Sequence, residues 1–359
     1  MLRSVAALAL AVLGLAQSLP AAGRDVVVFD TDSGLFGDDG AALVMLLRSP
    51  GLVTVTGVTV VPGNVWPAQG AEYMEHILDL LHYGPLPVYT GAETPLVHTA
   101  AMAHESERRW GKLLYPGAFD QNPAEVKPAP GAALSLRERS RVSARAHHEG
   151  AVDFLISEIL RHPGEITVLE LGPMTNLALA LRLRPEIETK IKRLVFMGGN
   201  LRAPGNATAS AEFNFWFDPE AARIVLRSRI PQKIMFGLDI CNTAPIHKAE
   251  FDQIVAVRTP ITDLYREDLG NRYPGFLQHP DGTAYLWDSL AAAYLLDTGF
   301  VTRSEAHYLD VLASWGRFYG STVPLDRRVA PDATPVTVMM ALNFQRVWAL
   351  YKGLLTRRN

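Results

Sequence analysis

The sequence predicts an α/β fold, a single domain built on an open, mostly parallel sheet flanked by helices. Three observations carry that expectation. Strand-like and helix-like segments alternate along most of the chain, which favours parallel strands joined by helical crossovers. The 359 residues are 48% hydrophobic and 20% charged, an ordinary globular balance with enough apolar material for a large core. No internal repeat and no convincing linker divides the chain.

The elements follow in order. Asp25 to Phe29 is a short apolar run of β-formers, followed by a turn-rich segment and a helix over Gly40 to Leu47. Leu52 to Val61 is β-branched and strand-like, ending at Pro62, Gly63 and Asn64. Met74, Ile77, Leu78 and Leu81 fall at helical spacing within Ala68 to Leu81. Pro87 to Tyr89 reads as strand, and Ala151 to Leu160 as a helix with Val152, Leu155, Ile156 and Ile159 on one side. Then come strand (Ile166 to Leu171), helix (Thr175 to Leu183), strand (Lys192 to Met197), helix (Pro219 to Arg227) and strand (Lys233 to Leu238). Residues 98–148 read as a polar, irregular excursion or lid, with Pro128 and Pro130 close together, and residues 258–286 as a helical insertion.

Lys and Arg total 34 against 37 Asp and Glu, a net charge of -3, which argues against a nucleic acid as partner. Cys241 is the only cysteine, so an internal disulfide and a cysteine-rich zinc site are excluded. Arg3, the apolar run from Val5 to Ala16 and the small residues up to Ala22 read as a cleavable signal peptide over 1–22. The domain then occupies 23–359, periplasmic or secreted, with no stable membrane association after cleavage. An uncleaved anchor is the alternative, though the run is short for a bilayer span.

Ligands of such sheets sit at the carboxyl ends of the strands. Just after the first strand, Asp30, Asp32, Asp38 and Asp39 lie within ten residues, with Gly34 and Gly37 allowing the backbone to turn. Carboxylates so close repel one another unless a cation sits among them, and hard oxygen ligands suit Ca²⁺ or Mg²⁺. Solvated turn acids and a helix start, where Asp38 and Asp39 would be favoured, are the plainer alternative. Haloacid dehalogenase-like phosphatases also open with Asp-x-Asp after a strand, but Ser33 and Gly34 follow here, and Asp38-Asp39 lies outside that signature.

The cluster resembles the opening motif of the inosine–uridine-preferring nucleoside hydrolase family: Asp-x-Asp-x-Gly, a spacer, then Asp-Asp and a helix. Leu35, Phe36 and Gly37 make it similar to a longer-spacer branch, and Ser33 replaces the usual Pro. Further stretches resemble that family in order: Thr59 to Asn64, Val88 to Ala92, Leu169 to Asn176, Val195 to Gly199, Ala211 to Asn214, and Trp287 to Ala292. The likeness runs from about Asp25 to about Asp326.

The resemblance implies a nucleoside hydrolase-like domain with a Rossmann-like core. It also implies Ca²⁺-dependent hydrolysis of the N-glycosidic bond of ribonucleosides to free base and ribose. Asp32, Asp39, Asp288 and the Leu171 carbonyl would then bind Ca²⁺. Asp32 would also act as general base towards the attacking water, with Asn64 orienting the water or the acids. Asp38 would take a ribose hydroxyl, and Asn206, Glu212 and Asn214 would hold the 3′- and 5′-hydroxyls. Asn206 also opens a glycosylation sequon with Thr208, and Glu212 and Asn214 could sit on an ordinary surface strand.

Asp30 is expected to hold the loop rather than act on substrate. Trp287 stands where family members usually carry a His that protonates the base. Stacking on it would favour purine nucleosides, whereas core packing is the alternative. His98, His104 and His279 could each approach the base; His82, His147 and His148 carry no such expectation. The family tends towards homodimers and homotetramers. Two rivals remain: a dehalogenase-type phosphatase, and a non-catalytic nucleoside-binding protein, against which the intact Asp32 argues.

Overall fold

Strand β1 (Asp25–Thr31) pairs in parallel with β2 (Val53–Val60) on one side and β5 (Ile166–Glu170) on the other. This is the centre of the computed structural model, which describes residues 24–121, 148–272 and 283–358. The expected signal segment 1–22, Pro128, Pro130, His147 and His279 lie outside the described residues.

The remaining strands are β3 (Val88–Thr90), β4 (His148–Glu149), β6 (Arg193–Met197), β7 (Lys233–Phe236), β8 (Pro245–Ile246), β9 (Ala284–Tyr285), β10 (Val301–Val311), β11 (Thr322–Pro324) and β12 (Pro335–Leu342). Ten of the twelve strands among the described residues form one sheet in the order β11-β10-β12-β7-β6-β5-β1-β2-β3-β4. Pairing is parallel from β12 to β4, while β10 runs antiparallel to β11 and β12. A separate antiparallel pair joins β8 to β9.

Side chains of the central strands alternate between two cores, as the pleat requires. Val27, Phe29, Leu169, Val195 and Phe236 face one core, and Val28, Val168, Phe196 and Met235 face the other. The first is closed by helices Gly37–Leu47, Pro67–Leu80, Trp287–Leu296 and Phe344–Leu355, the second by Ala151–Arg161, Thr175–Leu183 and Pro219–Arg227. The sheet is therefore covered on both faces, as parallel sheets are.

Helix Gly37–Leu47 begins before the expected Gly40, which brings Asp38 and Asp39 into its first turn. Gly37 has φ 60°, a conformation that favours glycine. Every residue from Asp39 to Leu47 is buried, and each large apolar side chain there contributes about 1.5–3 kcal/mol. Arg48 then donates to the carbonyls of Leu354 and Leu355 at 2.7 and 3.0 Å, tying the last helix to this face.

The stretch expected to be irregular from residue 98 holds a helix, Ala100–Trp110, started by the Thr99 hydroxyl accepting from Met102 N at 3.2 Å. The expected insertion contains helix Pro260–Arg272. A third, aromatic cluster of Trp66, Phe119, Phe213, Trp216, Phe217 and Tyr319 joins the loops above the strand ends. Among the described residues, no helix is long and apolar enough to cross a membrane.

Candidate active site

The carboxyl ends of β1, β2, β5 and β6 converge on a cavity of about 260 Å³. Asp32 follows β1 and is 1% exposed. Its Oδ2 accepts from the Asn64 N–H at 2.9 Å, and its Oδ1 accepts from Asn64 Nδ2 at 3.0 Å. The carboxylate lies tightly between two glycines. A Cβ on Gly63 would stand 1.9 Å from Asp32 Oδ2, and one on Gly172 would stand 3.0 Å from Asp32 Cβ.

Asp38 and Asp39 come from the first turn of helix Gly37–Leu47, and Asp288 from the first turn of helix Trp287–Leu296. Oxygens of Asp38, Asp39 and Asp288 lie within 4.8 Å of one another. Thr31 Oγ1 donates to Asp39 Oδ1 at 2.5 Å, Ser289 Oγ donates to the Asp38 carbonyl at 3.0 Å, and the Asp288 N–H donates to Asp38 Oδ2 at 3.4 Å. Asp288 Oδ1 is buried and accepts no hydrogen bond.

Burial, then the charge of Asp39, pushes Asp32 well above the ordinary carboxylate range. Burial, then Asp38 and Asp39, does the same to Asp288. A cation reverses that balance by favouring the charged form of every acid around it. The buried, unpartnered Asp288 oxygen and the all-oxygen donor set therefore fit a hard divalent cation.

Leu171 ends the β5 edge of the site; its carbonyl accepts from Asn214 Nδ2 at 3.2 Å. Asn214 Nδ2 also reaches the Met197 carbonyl at 3.1 Å. Glu212 and Asn214 are buried, which rules out the surface-strand alternative. Glu212 caps the short helix Phe213–Phe217, accepting from Asn214 N at 2.9 Å, Phe215 N at 3.1 Å and Gly199 N at 2.7 Å. Asn206 Oδ1 accepts from Phe213 N at 2.8 Å. Its loop is held by Asp239, whose carboxylate accepts from the N–H groups of Leu201, Arg202 and Ala203. Trp287 is half-buried beside Tyr285, with ring centroids 5.3 Å apart, and its indole Nε1 is buried without a partner.

Every predicted site residue except Asp39 lines the cavity; Asp39 is fully buried behind Asp38 and Asp288. Leu114, Tyr115, Met197 and Phe213 line it too and were not anticipated. Phe213 stands between two anticipated residues and Met197 ends an anticipated strand. Leu114 and Tyr115 come from the stretch expected to be irregular, where an apolar pair ahead of Pro116-Gly117 is the only sequence signal.

Two expectations are corrected. His98 does not approach the cavity: it is 2% exposed, boxed by Phe119, Trp216 and Tyr319. Its Nδ1–H donates to the Trp216 and Phe217 carbonyls at 3.1 and 3.3 Å, and burial lowers its pKa to about 4. His104 sits outside the cavity, 3.8 Å from Glu107. The phosphatase rival fails on Asp30, which is fully buried, accepts from Asn176 Nδ2 at 2.9 Å and faces Glu170 across β1 and β5. A nucleophile cannot be so enclosed. Glu170, unremarked within an apolar run, is pushed well above its usual range by burial and then by Asp30.

The sequence matches the family described as inosine-uridine preferring nucleoside hydrolase over residues 27–349. The pyrimidine-specific ribonucleoside hydrolase of Salmonella enteritidis is 35% identical over 242 residues, covering 67% of this chain and 69% of that protein. Among solved structures, a purine-preferring ribonucleoside hydrolase from Gardnerella vaginalis is similar at 26% identity and a TM-score of 0.70, covering 92% of this chain and 98% of the other. A plant nucleoside hydrolase, 24% identical, shares the fold with a TM-score of 0.74 over 93% of this chain and 100% of its own.

Proposed function

The chain belongs to the inosine–uridine preferring nucleoside hydrolase family, and from that premise we propose a Ca²⁺-dependent ribonucleoside hydrolase in which Asp32 is the general base. Membership makes the protein a ribonucleoside N-glycosidase; the cation, the residue roles and the base preference are the proposal. The observation that carries it is the meeting of Asp32, Asp38 and Asp288 at one cavity, with Asp39 grouped behind Asp38 and Asp288 and a buried Asp288 oxygen left without a hydrogen bond among the described residues.

Asp32, Asp39, Asp288 and the Leu171 carbonyl would hold the cation, and Asp38 is near enough to share in it. Bound Ca²⁺ would acidify water and bind vicinal hydroxyls. Asp32 takes the proton of the attacking water, its carboxylate aimed by two hydrogen bonds from Asn64. Asp38 receives a ribose hydroxyl, and Asn206, Glu212 and Asn214 receive the 3′- and 5′-hydroxyls. Glu212 accepts three backbone N–H groups already, and its remaining lone pairs are what a hydroxyl would use.

For the base, relatives of both preferences exist among those compared. The aromatic wall of Trp287, Tyr115 and Phe213 supports stacking of a purine. A panel of purine and pyrimidine ribonucleosides, assayed for free ribose with and without chelator, tests the reading. Ribose release that chelator abolishes, faster from inosine than from uridine, is expected. Chelator-insensitive release would remove the cation, uridine preferred over inosine would remove the stacking role, and no release from any nucleoside would remove the whole proposal.

A further inference from the structure

Residues 113–118 form a strap that runs from one wall of the cavity to the other. Leu113 is 4% exposed in the aromatic cluster, and its N–H donates to Glu107 Oε1 at 3.1 Å. The Leu114 N–H donates to the Ala207 carbonyl at 2.8 Å, next to Asn206. The Ala118 N–H donates to the Gly63 carbonyl at 2.8 Å, next to Asn64. Gly117 has φ 60°, and a Cβ there would stand 2.5 Å from the Gly63 carbonyl oxygen, so the strap lies close against the Asn64 turn.

Tyr115 sits mid-strap. Its ring meets Phe213 edge-on, with centroids 4.8 Å apart, and its hydroxyl donates to Asn64 Oδ1 at 2.8 Å. Asn64 in turn gives its N–H and its Nδ2–H to the two oxygens of Asp32. Asp32, an acceptor only, takes the Nδ2 end of that amide, and the Tyr115 hydroxyl closes on the Oδ1 end, so the amide is held from both sides. The flipped amide would set its oxygen against the carboxylate.

We propose that Tyr115 is a positioning residue for the hydrolysis, fixing the Asp32 carboxylate through the side-chain amide of Asn64. The inference rests on the nucleoside hydrolase reading above. It predicts an effect on turnover rather than on ground-state binding, because the change keeps the ring against Phe213 and removes the bond to Asn64. It also predicts that the effect vanishes when Asn64 cannot transmit it.

The test is a double-mutant cycle of Tyr115→Phe and Asn64→Ala, with kcat and KM measured on the best ribonucleoside of the panel. Tyr115→Phe keeps the ring on Phe213 and should lower kcat about 3- to 10-fold, the worth of one neutral hydrogen bond, with KM within about twofold. In the Asn64→Ala background the same change should alter kcat less than about twofold. If Asn64→Ala is too slow to assay, Asn64→Ser replaces it. Equal losses in both backgrounds, a loss confined to KM, or no loss would each overturn the proposal. Thermal midpoints matching that of the wild type exclude misfolding as the cause. A wild-type protein active on ribonucleosides but indifferent to Tyr115→Phe sinks this inference alone. A wild-type protein inactive on every ribonucleoside sinks the hydrolase reading and this inference with it.

Discussion

Asp32 accepts a hydrogen bond from Asn64 on each carboxylate oxygen, while the backbone at Gly63 and Gly172 lies close against it. That arrangement suits a base: the carboxylate has one orientation, set before substrate arrives. It also makes Asp32→Asn a less innocent change than its shape suggests. Both Asp32 oxygens face N–H donors, so an amide NH₂ placed there meets a donor and leaves one bond unmade. The unmade bond costs about 1–3 kcal/mol, and removing a buried charge from among Asp38 and Asp39 offsets part of that cost. Turnover should fall about 10²- to 10⁴-fold from the lost base alone. Circular dichroism and ribose release on the same sample separate the two effects. A folded mutant keeping more than about a tenth of the wild-type rate would remove Asp32 from the role.

Lys233, at the start of β7, is 2% exposed and, among the described residues, has no carboxylate within hydrogen-bond reach. Its Nζ donates to the carbonyls of Leu226 and Ser228 at the end of helix Pro219–Arg227 and to the Thr334 hydroxyl. Those carbonyls lack helical partners, and a donor there locks the helix to β7 and β12. Burial lowers the amine from 10.5 to about 8. Since the folded value lies below the unfolded one, the unfolded chain binds more protons between them, and stability must rise with pH across that window. The difference in unfolding free energy between wild type and Lys233→Met should therefore move towards wild type from pH 8 to 10.5, by up to about 3 kcal/mol. A difference that stays flat would mean the amine is not held as described. Such an element-level contact is invisible in sequence, because its partners are backbone carbonyls. The central strands were legible because each is a short run of β-formers bounded by turn residues. β10 was not: Val301 to Tyr308 are all partly or fully exposed, and Thr302, Arg303, Ser304, Glu305 and His307 among them leave no apolar run to mark a strand. The five-residue helix Phe213–Phe217 is too short for a period to register.

At the scale of the molecule, one sheet aims the ends of β1, β2, β5 and β6 at a common point, and the helix after β9 brings Asp288 from the far end of the sequence to meet them. The acids were legible because four carboxylates after an apolar strand are hard to explain otherwise. Tyr115 was not, because its partner Asn64 lies 51 positions away and only the folded strap joins them. The same convergence leaves Asp38, Asp39 and Asp288 crowded within 4.8 Å, with burial and then the charges of Asp38 and Asp39 opposing the ionisation of Asp288. Without a cation, this end of the sheet is a site of stored repulsion. Ca²⁺ at about a hundred times its Kd should add about 2.7 kcal/mol. In a chain of this size that raises the thermal midpoint on the order of 5 °C, and chelator should reverse it. Mg²⁺ should give a smaller shift, since it demands a stricter octahedral shell than a buried carboxylate cluster readily supplies. Asp288→Asn should remove most of the Ca²⁺ shift. It should leave the metal-free midpoint unchanged or higher, because one buried charge is gone from the cluster. Scanning calorimetry of both proteins with Ca²⁺, Mg²⁺ and chelator reads all of this without an activity assay. A wild-type midpoint indifferent to saturating Ca²⁺ would mean that the acids balance their charge by sharing protons, and that the cavity works without a divalent ion.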